Sequence, residues 1–188
     1  MSKKKQKIVI AVLLALVLVA FFMRDSRLVA QWRFAGDAHV PKLNSNFADL
    51  PKVVSSKNQK IGKIVRGLPH NFNDEDEFVR DLWNSENVSI HGYRFYKEPL
   101  QSTPEFESIL HSVMTSQKSF RPYGGPKMCG GYHADFAAQF EDSWFLVCLG
   151  CHEILCYSKK AQLICEFDKT AYQSLSTAWS ELNKGRNE

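Results

Sequence analysis

The sequence predicts an α+β domain: an antiparallel β-meander with helices packed on one face, preceded by a single N-terminal transmembrane helix. Three patterns carry that expectation. Residues 135–167 alternate short apolar runs with turn residues at hairpin spacing. Two stretches, 104–114 and 168–182, repeat apolar residues at helical spacing behind a capping residue. The first 23 residues are a basic tip followed by an apolar run.

At 188 residues the chain has room for about one domain and a tether. Its net charge of +4 is local, because Lys3, Lys4, Lys5 and Lys7 supply all of it. The other 20 basic side chains balance the 20 acidic ones. A nucleic-acid partner is not expected, since it needs a basic face on the folded part.

Ile8 to Met23 are sixteen residues without a charge or a strong polar group. That is short of a full span of about 20, but the lysines and Arg24 can snorkel to the interfaces. The cation bias places the N-terminus inside and residues after about 24 outside. A cleavable signal peptide is the rival reading. It is disfavoured because Leu18/Ala20 and Leu28/Ala30 each put Leu where a small residue is wanted. The expected domains are a cytoplasmic tip and anchor at 1–23, a stalk at 24–59 and an extracytoplasmic α+β domain at 60–184. The membrane is thus the expected partner, with a location in the cell inner membrane, single-pass, and the C-terminal domain in the periplasm. No protein partner can be named.

Along the chain, Trp32 and Phe34 suit a membrane surface. Lys60–Val65 reads as a short strand. A helix is expected from Asn73 to about Asn84, with acids at 74–77 at its positive end. Val88–Tyr96 reads as one strand rich in β-branched and aromatic residues. Thr103 caps a second helix, with Pro104 at its first position. Phe106, Ile109, Leu110, Val113 and Met114 form its buried stripe. Phe120–Pro126 reads as a loop. Phe136, Ala138 and Phe140 alternate, and Trp144–Leu149 is a continuous apolar run, as a central strand requires. Glu153–Tyr157 and Gln162–Phe167 make a second hairpin. Asp168 caps a final helix with Tyr172, Leu175, Trp179 and Leu182 on one face.

The chemistry is concentrated in two short segments, Cys129-Gly130-Gly131-Tyr132-His133-Ala134-Asp135 and Cys148-Leu149-Gly150-Cys151-His152-Glu153. Cys129-x3-His133 and Cys148-x2-Cys151 give four ligands on neighbouring turns, and soft thiolates with imidazole suit Zn²⁺. His152 is an alternate ligand. Outside the cytoplasm disulfides are the default, and five cysteines leave at least one without an intrachain partner. Cys129 could pair with Cys148 or Cys151. Cys156 and Cys165, on adjacent strands, could face each other as a second bridge or serve as core thiols. A redox Cys-x-x-Cys ranks lower, because such pairs usually open a helix and a strand follows here. Cys148–His152 also reads C-x-x-C-H, the attachment pattern for c-type haem, with His152 as proximal ligand. Haem ranks below zinc and disulfide. A hydrolase built on Cys129, His133 and Asp135 has no evident oxyanion hole. No catalytic residue is therefore assigned, and turnover is not expected.

At these residues the chain resembles a group of bacterial proteins, secreted or membrane-anchored, with no established activity. The likeness covers roughly residues 60–182. It rests on Gly67-Leu68-Pro69-His70, His91-Gly92-x-x-Phe95-Tyr96, Cys129-Gly130-Gly131-Tyr132-His133-x-Asp135-Phe136-Ala137 and Cys148-x-Gly150-Cys151-His152-Glu153. Ala134 and Leu149 stand where the group's pattern has Pro and Phe. The resemblance implies a shared fold and site and transfers no activity. The functional expectation is a non-catalytic binding or structural module whose Cys/His block is disulfide-bonded or zinc-binding. The alternative is a redox or electron-transfer protein.

Overall fold

A computed structural model describes residues 12–16, 19, 46–54, 56–68, 85–125 and 132–184. The chain divides into two compact units, one of residues 1–36 and 69–85, the other of 37–68 and 86–188. The first contributes few described residues. Val12, Leu13, Leu14, Leu16 and Val19 are helical and each is more than half exposed. Among the described residues no helix is long and apolar enough to cross a membrane. Most of the expected anchor, the helix expected at 73–84, and Trp32 and Phe34 lie outside the described residues.

The second unit is one eight-stranded antiparallel sheet with helices, the α+β class expected. Its strands are β1 (Ile61–Gly67), β2 (Asn87–Ile90), β3 (Tyr93–Pro99), β4 (Phe120–Pro122), β5 (Phe136–Phe140), β6 (Ser143–Cys148), β7 (Glu153–Tyr157) and β8 (Gln162–Phe167). They lie in the order β2-β3-β1-β5-β6-β7-β8-β4. The meander β5 to β8 is therefore contiguous, as its hairpin spacing demands. The helices are α1 (Pro104–Met114) and α2 (Lys169–Lys184).

Register explains why the central strands lack a polar face. Ile64, Ala138, Phe145, Cys156 and Leu163 are successive cross-strand partners, and so are Val65, Ala137, Leu146, Leu155 and Ile164. Successive side chains point to opposite faces, so these two rows line the two faces of the sheet. The first row packs with Phe106, Leu110, Val113 and Met114 of α1 and Leu175 of α2. The second packs with Phe95, Tyr93, Ile90 and Tyr132. Both faces are covered, which is why Trp144–Leu149 reads as an unbroken apolar run.

What covers the second face is the sheet itself. His91, in the turn between β2 and β3, stacks on Tyr157 of β7 with ring centroids 3.9 Å apart. Three strands separate β3 from β7. In a flat sheet that spacing would be about 20 Å. The sheet therefore curls until its first hairpin lies over its own middle strands.

The sequence reading needs correction in three places. The stretch Val88–Tyr96 is a hairpin rather than one strand, because His91 (φ 50°) and Gly92 (φ 91°) form a tight turn with both residues left-handed. Phe120–Pro122 is not loop but the edge strand β4, paired to β8. The packed core also begins upstream of residue 60: a 3-10 helix, Phe47–Lys52, buries Leu50, and Val53 follows it into the same core. Its capping box was readable. The Asn46 side chain accepts from Ala48 N–H at 2.8 Å, and Asp49 accepts from Asn46 N–H at 3.1 Å. Elsewhere the caps stand as expected. Thr103 accepts from Phe106 N–H at 3.2 Å, and Asp168 accepts from Thr170 N–H at 2.9 Å.

Candidate metal and thiol site

The two Cys/His segments meet at one end of the sheet because Asp135 ties them together. Its N–H donates to Val147 O at 2.7 Å and its carbonyl accepts from Gly67 N–H at 2.7 Å. Its carboxylate accepts from Leu149 N–H at 2.6 Å. One residue thus clamps the entry to β5 between the ends of β1 and β6. Close approach at β1 requires glycine: a Cβ on Gly67 would lie 1.7 Å from Ala134 O. Tyr132 finishes the anchoring. It is buried, donates its hydroxyl to Leu146 O and packs edge-on against Tyr93.

These anchors hold His133 over the β6–β7 turn. Cys148, the last residue of β6, is fully buried. Its Sγ lies 3.8 Å from both Nδ1 and Nε2 of His133. The turn Leu149–His152 is closed by His152 N–H donating to Leu149 O at 3.3 Å, with His152 left-handed at φ 59°. Within it Cys151 N–H donates to Cys148 Sγ at 3.3 Å. Gly150 passes beneath the imidazole, where a Cβ would sit 3.7 Å from Cε1 and 3.8 Å from Nε2. One ligand atom each from His133, Cys148 and Cys151 lie within 4.8 Å of one another, so the three could hold a metal ion.

The donor set fits a tetrahedral ion. Bond lengths of about 2.3 Å to sulfur and 2.0 Å to nitrogen put neighbouring donors about 3.5–3.8 Å apart, close to the observed sulfur–imidazole spacing of 3.8 Å. Two features stand against an ion being held as the side chains lie. A sulfur equidistant from both ring nitrogens is aligned with neither lone pair, so the ring must turn to ligate. More decisively, Cys151 is disulfide-bonded, and a disulfide sulfur is not a thiolate donor. Cys148, Cys156 and Cys165 are free thiols. Cys129, expected as a ligand, lies outside the described residues, as do Gly130, Gly131 and His70.

His152, the alternate ligand, is not part of the cluster. Its ring lies against Tyr172 of α2, with centroids 3.7 Å apart. That placement also counts against haem. Attachment would need two free thiols to form thioethers and an imidazole free to ligate, whereas Cys148 is buried, Cys151 is bonded and His152 is turned to a helix. Of the two readings of Cys156 and Cys165, bridge or core thiols, the structure shows core thiols. Ile154 pairs with Cys165 and Cys156 with Leu163, so the two are diagonal core neighbours rather than partners.

Electrostatics disfavour the Cys148 thiolate. Burial pushes the thiol up to about 12, and the carboxylates of Asp135 and Glu153 act in the same direction. The sequence does not show that Glu153 and Glu166 are buried near Cys148. Glu153 lies opposite Cys148 on β7 and opposite Glu166 on β8, and both carboxylates are buried. Glu166 takes an ion pair from Arg121 at 2.8 Å and a hydrogen bond from Gly124 N–H at 3.0 Å. Glu153 could have been suspected from its place beside the Cys-x-x-Cys-His run; Glu166 carries no sequence signal. No family model, curated protein or solved structure matches this chain.

Proposed function

We propose that this chain is a membrane-tethered, extracytoplasmic module without turnover, in which the Cys/His block fastens a glycine-rich loop to the end of a curled sheet. The observation that carries this reading is a bonded Cys151 beside a buried, free Cys148 whose thiol burial pushes up. A redox Cys-x-x-Cys needs one accessible, low-pKa thiol. Here the two cysteines do not bond each other, and the free one is driven the wrong way. Cys129 lies outside the described residues; of the two pairings the sequence offers it, with Cys148 or with Cys151, we propose the second, since Cys148 is a free thiol. The disulfide favours an oxidising compartment. The basic tip, the apolar run and the exposed Val12, Leu13, Leu14, Leu16 and Val19 support the anchor.

A second reading has its own observation. The spacing of His133, Cys148 and Cys151 suits a metal ion, and the thiolate-rich donor set favours zinc. Such an ion would supply structural cross-linking of the same loop and turn. The two readings separate on stability. Closing a loop of about twenty residues with a disulfide is worth about 3 kcal/mol. Cys151→Ser should cost about that in urea unfolding of the full chain in detergent, with no response to a chelator. Equal stability of Cys151→Ser and the parent, or unfolding of the parent by chelator alone, would refute the disulfide reading.

A further inference from the structure

We infer that the disulfide at Cys151 gates a latent zinc site: closed, it withholds one of three prepositioned donors, and opened by a dithiol reductant it releases His133, Cys148 and Cys151 to take up the ion. This rests on the disulfide reading above. The argument is one of placement. A site that assembles only on reduction would normally need its ligands brought together, yet here only one sulfur's bonding state and the turn of the His133 ring remain to change. Cys148 is fixed by the β6 ladder, opposite Glu153. Cys151 is fixed by its N–H donating to Cys148 Sγ at 3.3 Å and by the turn hydrogen bond from His152 N–H to Leu149 O. His133 is fixed by its neighbours, Tyr132 through Leu146 O and Asp135 through Leu149 N–H.

These hydrogen bonds hold backbone and do not involve the disulfide. With the bond closed the three donor atoms already lie within 4.8 Å of one another. The remaining adjustment is rotation of the His133 ring, and Gly150 leaves that ring ordinary contact distance rather than a clash.

The step balances. A dithiol transfers two electrons and two protons to the bond between Cys151 and its partner, becoming a disulfide itself and leaving two thiols. Zinc then displaces the protons of Cys148 and Cys151 and takes a lone pair from neutral His133. Solvent or a further donor fills the fourth position, since structural zinc is tetrahedral. The consequence is a module that exchanges one cross-link for another. Oxidised, it is held by a covalent bond; reduced, the same turn is held by an ion.

The test uses the full chain in detergent. Intact mass without reductant establishes first whether the chain as purified carries one disulfide. Equilibrium dialysis against ZnCl₂ is then run on the oxidised chain and on the chain reduced with dithiothreitol and desalted anaerobically. We expect no stoichiometric zinc in the oxidised form and one equivalent in the reduced form. Cobalt substitution should give thiolate charge-transfer bands in the reduced form alone. His133→Gln should weaken zinc at least about 10-fold while leaving the circular dichroism unchanged. A purified chain with full thiol mass would defeat the disulfide reading itself. A chain that is disulfide-bonded but binds zinc equally in both states, or in neither, would overturn the gating and leave that reading standing. If His133→Gln fails to fold, Cys148→Ser with loss of the cobalt bands serves in its place.

Discussion

The carboxylate of Asp135 accepts from Leu149 N–H at 2.6 Å, while its backbone reaches both Val147 and Gly67. Removing it leaves a largely enclosed N–H without a partner at the turn that carries Cys151. Such a loss costs about 1–3 kcal/mol. Asp135→Ala should therefore lower stability by about that amount in urea unfolding, whereas Asp135→Asn, which keeps an acceptor oxygen, should lose about half or less. Cys148 makes a second prediction at this scale. With its thiol pushed up to about 12, the thiolate fraction at pH 8 is on the order of 10⁻⁴, and alkylation proceeds through the thiolate. Iodoacetamide should modify Cys148 at least about 100-fold more slowly in the folded chain than in urea, read by peptide mass. The residue types of the site were legible because thiols and imidazoles clustered in two short segments. The state of each was not. Bonding, burial and which way His152 faces depend on strands and a helix distant in sequence.

Elements were read well where the signal was local and poorly where it was a pairing. Thr103-Pro104 and Asp168 announce their helices within four residues, and both helices start where those caps stand. The β5–β8 meander follows from alternation and turn residues. The His91-Gly92 turn was missed because it lacks the Asn-Gly or Asp-Gly pair that marks a two-residue hairpin, so its two strands read as one. β4 was missed because three residues containing a proline carry no period; its pairing with β8 is a tertiary fact. Gly67 is the most sensitive of these positions. It ends β1 against the backbone of Ala134, with no room for a methyl group. Gly67→Ala should cost about 3 kcal/mol or more through backbone displacement. It should also shift the 132–135 segment away from Cys148, seen as faster alkylation of Cys148. Unchanged stability and reactivity would show that β1 does not position the site.

At the scale of the whole molecule, one curled sheet buries two apolar faces, and that burial shifts the titration of His91, Cys148 and Tyr157. On the acid side, burial lowers the His91 pKa below its ordinary 6.5. The unfolded chain then binds more protons there, so stability rises with pH through the region just below 6.5 and is lost as pH falls. His91→Phe, which keeps the ring on Tyr157, should remove that acid step from a series of melting temperatures. On the alkaline side the sign reverses. Cys148 and Tyr157, ordinarily 9.0 and 10.0, are both raised to about 12 by burial. Their contribution is full below 9.0 and declines as pH rises to about 12, so urea midpoints should hold to pH 9 and then fall.

The central claim is that Cys151 is covalently committed while Cys148 stays a buried free thiol. Denaturing alkylation of the full chain without reductant, followed by intact mass and disulfide-linked peptide mapping, tests it most directly. The account predicts three alkylated cysteines, Cys148, Cys156 and Cys165, and one cross-linked peptide joining Cys151 to Cys129. Five alkylated cysteines, or a cross-link through Cys148, would contradict it.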